Sequence, residues 1–97
     1  MTEKDLTAAN RHSNHNRVEV LKSDDCGCFR CLATFTPTEI RTWIDTGQTA
    51  TCPACGMDSV IGSASGFNPT AELLASMQDR YFPVLATVRS VRSVRDA

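Results

Sequence analysis

Two short stretches far apart in the chain, Cys28-Phe29-Arg30-Cys31 and Cys52-Pro53-Ala54-Cys55-Gly56, constrain its folding more than any other feature. In a C-x-x-C turn, two thiolates reach one ion while backbone N–H groups point at the sulfurs. Gly56 follows the second pair and lets the chain turn away. The spacing C-x2-C-x20-C-x2-C lies at the long end of the range for four-cysteine zinc sites. The expected cofactor is one structural Zn2+ held by Cys28, Cys31, Cys52 and Cys55, because four thiolates close its coordination sphere.

A staple of this kind suits a chain of 97 residues with six aromatic side chains. Such a chain buries only about 60–65% of the surface its unfolded form exposes, so its apolar core is small. The N-terminus Met1-Thr2-Glu3-Lys4-Asp5 lacks the basic-then-apolar run of a signal peptide, and no apolar run reaches membrane-spanning length. The five cysteines are therefore expected to sit reduced in a cytoplasmic protein with no membrane partner. Ten basic against eleven acidic side chains leave a net charge of −1, so nothing global favours a polyanion.

The expected fold class is α+β: a small zinc ribbon with two knuckles, a short antiparallel sheet, an inserted helix and flanking N- and C-terminal helices. Residues 1–12 read as a flexible arm, 13–82 as the zinc-ribbon domain and 83–97 as a tail or short helix. Asn16 and Glu19 resemble a capping box for a helix over 13–22, with Val18 and Leu21 facing inward. Leu32 to Phe35 should form a strand after the first knuckle. Thr36-Pro37-Thr38-Glu39 is the clearest helix start, and Ile40, Trp43 and Ile44 would line that helix up to Gly47. Thr49 to Thr51 and Met57 to Ile61 read as strands entering and leaving the second knuckle. Asn68-Pro69 should open a helix with the stripe Leu73, Leu74, Met77 and Tyr81, interrupted by Pro83. The segment beyond, with the repeat Val88-Arg89-Ser90-Val91-Arg92-Ser93-Val94-Arg95, would place Val84, Val88 and Val91 on one side if helical.

The run Cys26-Gly27-Cys28-Phe29-Arg30-Cys31 through Trp43, with Thr49 to Gly62, resembles a family of small uncharacterised bacterial cytoplasmic zinc-ribbon proteins. The resemblance covers roughly His12 to Phe82 and brings no established activity. More broadly it is similar to rubredoxin-like ribbons, in which two knuckles face each other across one metal. Iron in an electron carrier is the lesser alternative, since such carriers pack aromatics closely around the metal.

Several functional readings remain on these residues. A thioredoxin-like redox site lacks its βαβ setting. The deaminase signature needs H-x-E with P-C-x-x-C, whereas here proline follows Cys52 and neither histidine has Glu two residues on. Cys26 is the odd thiol: a ligand exchanging with Cys28, a redox-sensitive cysteine, or a small side chain filling the knuckle, the last being expected. His12 and His15 read as surface or capping residues, although a hydrolase would pair one of them with Asp58 or Ser59. Asp58 and Ser59 are expected to support the knuckle.

The first functional expectation is a zinc-stabilised binding or adaptor protein with a protein partner, self-association through the C-terminal valine face being one form of it. The alternative is a nucleic-acid-associated ribbon touching phosphates through Arg89, Arg92 and Arg95, helped by Arg30 or Arg41.

Overall fold

The computed structural model describes the backbone of residues 2–96 and the side chains of residues 2–89. In chain order the elements are α1 (Glu3–Arg11), α2 (Arg17–Leu21), β1 (Cys26–Cys28), β2 (Thr34–Phe35), β3 (Trp43–Ile44), β4 (Thr49–Ala50), β5 (Val60–Gly62), α3 (Ala71–Tyr81) and α4 (Pro83–Asp96). Single 3-10 turns cover Pro37–Glu39 and Ser63–Ser65. This is the expected α+β class. The strands form one antiparallel sheet in the order β2-β1-β5 and a separate β3-β4 hairpin.

The central sheet is covered on both faces, and its sequence shows why. Along β1 and β5 the side chains alternate, so Cys26, Cys28 and Val60 enter one core and Ile61 enters the other. The first core also takes Val20, Phe35, Ile40, Ala50 and Cys52, with Trp43 packed against it. The second gathers Leu6, Ala9, Phe29, Leu73, Leu74 and Met77 from α1, α3 and the first knuckle. Gly27 lies between β1 and α3, where an added Cβ would stand 2.8 Å from Leu74 Cδ1 and 3.0 Å from Pro69 Cβ. Glycine there lets the helix sit directly on the strand backbone. Leu73, Leu74, Met77 and Ile61 are fully buried, each side chain contributing about 1.5–3 kcal/mol by removal from water.

The structure corrects several local expectations. The first dozen residues, expected as a loose arm, contain helix α1. Thr2 caps it by accepting from the Asp5 N–H at 3.1 Å, and Leu6 and Ala9 are buried against α3. Two apolar residues on one face are enough when a second helix supplies the other wall.

The capping box at Asn16 does not form, because the Asn16 side chain makes no cap bond and Glu19 pairs with His12 instead. The helix there is only α2, and Val20 is its buried residue. Val18 and Leu21 point outward, 65% and 53% exposed.

The helix expected between the knuckles lasts one turn. Its start signal is real: the Glu39 carboxylate accepts from the Thr36 N–H at 2.6 Å. Ile40 then turns extended, and Trp43 and Ile44 pair with Ala50 and Thr49 instead. Aromatic and β-branched residues favour such a paired strand, and the hairpin overrides the local helix signal. Gly47, read as a helix stop, closes this hairpin at φ 83, preceded by Asp45 and Thr46 at φ 55 and 56.

The expected strand from Leu32 begins only at Thr34, since Leu32 has φ 68. The pair of Thr49 to Thr51 is β3, and the exit strand is shifted forward to Val60–Gly62. In α3 the cap is Thr70, not Asn68: its hydroxyl accepts from the Leu73 N–H at 3.1 Å. Pro83 does end α3, at Phe82, and then serves as the first residue of α4.

Candidate metal centre

Each cysteine pair sits in the same backbone turn. In the first, the Cys28 N–H donates to the Ala33 carbonyl at 2.9 Å and the Leu32 N–H donates to the Cys28 carbonyl at 2.9 Å. In the second, the Cys52 N–H donates to the Met57 carbonyl at 2.8 Å and the Gly56 N–H to the Cys52 carbonyl at 2.9 Å. The residue after each pair, Leu32 or Gly56, adopts a left-handed conformation. For leucine that geometry costs about 1–2 kcal/mol, which the turn imposes in order to aim the thiols. Inside each turn, N–H groups point at the first sulfur: Arg30 N to Cys28 Sγ at 3.3 Å, and Ala54 N to Cys52 Sγ at 3.3 Å.

The two turns face each other. All four sulfurs lie within 4.8 Å of one another, with Cys28 Sγ and Cys55 Sγ 3.6 Å apart and Cys31 Sγ and Cys52 Sγ 3.6 Å apart. Four sulfurs held about 2.3 Å from one tetrahedral ion would be separated by about 3.8 Å. The donor set therefore fits a single thiophilic metal ion, and the expected residues Cys28, Cys31, Cys52 and Cys55 are the ones brought together.

Burial pushes the Cys28 thiol well above its usual value, against hydrogen bonds from Ser59 and from the backbone of Cys31 and Arg30. Burial likewise raises Cys31. At Cys55 burial acts upward too, but hydrogen bonding with Met57, Cys28, Arg30 and Cys31 outweighs it and lowers the thiol. A metal supplies the positive charge that lets such a cluster ionise, displacing protons as it binds.

The Ser59 hydroxyl lies 3.0 Å from Cys28 Sγ in a buried position. Asp58 beside it is exposed and takes no part. Cys26 stands outside the four-sulfur cluster, fully buried in the first core; burial, with the Asp25 carboxylate adding to it, pushes its thiol up to about 11. Cys26→Ser is accordingly expected to leave metal stoichiometry unchanged, which metal analysis of the purified variant checks; loss of bound metal would make Cys26 a ligand.

The histidines are engaged elsewhere. His12 Nδ1 lies 3.0 Å from both Glu19 carboxylate oxygens, and its ring is 5.8 Å from that of Phe67. His15 is exposed, with Nδ1 2.8 Å from Asn14 Oδ1. Among the described residues neither hydrogen-bonds Asp58 or Ser59, so the base-to-nucleophile contact of a hydrolase is not formed.

Of the arginines, Arg89 donates from Nη1 to Gln78 Oε1 at 2.7 Å and from Nη2 to Asp79 Oδ1 at 2.9 Å. The side chains of Arg92 and Arg95 lie outside the described residues. Arg41 is exposed between the knuckles, and Arg30 lies on the first knuckle, half-buried.

Two buried polar residues hold the surrounding elements together, Gln78, which sequence reading missed, and Asn16, which it read only as a cap. Buried Gln78 donates from α3 to the Arg30 carbonyl at 2.7 Å, and buried Asn16 joins β4 to β5. Gln78 follows Met77 in a helical stripe, and nothing local marks it as anything but a helix former. Comparison of the chain with protein-family models, with curated proteins and with solved structures finds no match.

Proposed function

We propose that this chain is a small bacterial cytoplasmic binding module of zinc-ribbon type, with one Zn2+ as staple, that engages a protein partner. The observation that carries this reading is the convergence of four sulfurs from two facing turns. Four thiolates leave the metal no open position for water or substrate, so its work is to hold the knuckles together. Activity then belongs to the surfaces that the knuckles position. The five free thiols suit a reducing compartment, and among the described residues no helix is long and apolar enough to cross a membrane.

The surface favoured for the partner is the outer side of α4, where Val84 is 75% and Val88 49% exposed. The phosphate-binding alternative draws less support, because Arg89 is already held by Gln78 and Asp79, and Arg80 by Glu3 at 2.7 Å. The test is affinity purification from native cells across a salt series, with metal analysis of the recovered protein. One zinc per chain is expected, with a stoichiometric protein that survives raised salt and is lost with Val88→Asp. Recovery of nucleic acid that is released as salt rises would overturn the reading in favour of phosphate contact.

A further inference from the structure

A cavity of about 260 Å3 opens where the C-terminal ends of α1 and α3 meet the loop that leads into β5. Three of its walls are aromatic. The Phe29 ring lies 5.9 Å from Tyr81 at an inclination of 52°, and 6.0 Å from Phe82 at 42°. The rings therefore stand as inclined panels around Phe29 and not as a parallel stack. Asn10, Ser13 and Ser59 add polar edges, and Asp58 is the single charged residue of the lining. Its carboxylate forms no ion pair among the described residues.

We propose that this cavity binds a methylated or quaternary ammonium head group. Aromatic faces attract alkylammonium ions through the ring quadrupole, and a nearby carboxylate adds a charge of the right sign. Tyr81 already takes a cation, with the Arg80 guanidinium 5.2 Å from its ring centroid. That guanidinium is neutralised by Glu3 at 2.7 Å, so it does not oppose a second cation at Asp58.

Size narrows the ligand further. The volume falls below the ~300–1,000 Å3 usual for whole small molecules, which suits a head group entering from outside. Methylation suits the three aromatic walls, because N-methyl groups can lie against ring faces where the N–H donors of a bare ammonium find no acceptor. Asp58 disfavours an anion. The site is independent of α4 and of the partner reading, so either stands if the other fails.

The test is an amide-shift titration of the zinc-loaded full chain with choline, with its neutral carbon analogue 3,3-dimethylbutan-1-ol, and with a trimethyl-lysine peptide. Choline is expected to shift the amides of Ser59, Tyr81 and Phe82 and to bind roughly tenfold more tightly than the neutral analogue. Tyr81→Leu should weaken choline by roughly tenfold. Asp58→Asn, at an exposed position where folding is not at stake, should weaken it several-fold. Peptide binding well above that of choline assigns the head group to a protein side chain, and equal binding assigns it to a free small molecule. Equal affinity for the neutral analogue, or unmoved amides at saturating choline, overturns the proposal.

Discussion

Stripping the metal with a chelator, or replacing Cys52 by serine, is expected to unfold the half of the molecule built on the thiolate side of the sheet. Structural zinc supplies about 10–16 kcal/mol of apparent binding energy in small fingers, against a total stability of about 5–15 kcal/mol for an ordinary domain. Cys28 and Cys52 are themselves buried members of that core, together with Val20, Phe35, Ile40, Ala50 and Val60. Without a cation, burial works against ionising Cys28 and Cys31, and the two turns lose the charge that would draw their sulfurs together.

Trp43 packs against this core beneath the Arg17 guanidinium, 4.8 Å from its ring centroid, so its fluorescence reports that half. The expected result is a red-shifted Trp43 emission and a lost cooperative melt, both restored by zinc. The helical circular-dichroism signal should fall less, because α1 and α3 close on their own core of Leu6, Ala9, Leu73, Leu74 and Met77. A metal-free chain that melts as cooperatively as the loaded one would refute the staple.

The second large effect is expected at Asn16. Its Nδ2 donates to the His12 and Val60 carbonyls, both at 2.9 Å, and its Oδ1 accepts from the Ala50 N–H at 3.1 Å. One buried amide thereby joins the α1–α2 connection to β4 and β5. Asn16→Ala leaves the Ala50 N–H and the Val60 carbonyl without partners inside the protein, at about 1–3 kcal/mol for each buried group. The expected loss is about 2–5 kcal/mol in urea unfolding of the zinc-loaded protein. A mere helix cap would lose only about 1 kcal/mol, so the magnitude separates the two roles. Asn16→Asp, which sets a buried carboxylate oxygen against the His12 and Val60 carbonyls, should lose at least as much as alanine.

How much of this was legible in the chain depends on how local each signal is. The cysteine pairs, with their turn residue Gly56, specify their own backbone, so the four clustered cysteines could be read directly. The stripe Leu73, Leu74 and Met77 marked α3 for the same reason. The Thr36-Pro37-Thr38-Glu39 box was also read correctly, and it formed. Its continuation was not legible, because Ile40, Trp43 and Ile44 fit a helical stripe and a hairpin equally well. What chose between them was Thr49-Ala50, which reaches Trp43 and Ile44 only once the hairpin has closed.

The sequence by itself determined the two cysteine turns, the α+β class and the main apolar helix, because each rests on contacts within a few residues. Only the tertiary structure decided that the first residues form a packed helix, that Asn16 is a strut and not a cap, and that Phe29, Tyr81 and Phe82 surround one cavity. Those outcomes depend on groups from 34 residues apart, as Asn16 with Ala50, to 75 apart, as Leu6 with Tyr81. Side chains so far apart in the chain meet only after both faces of the sheet have been covered.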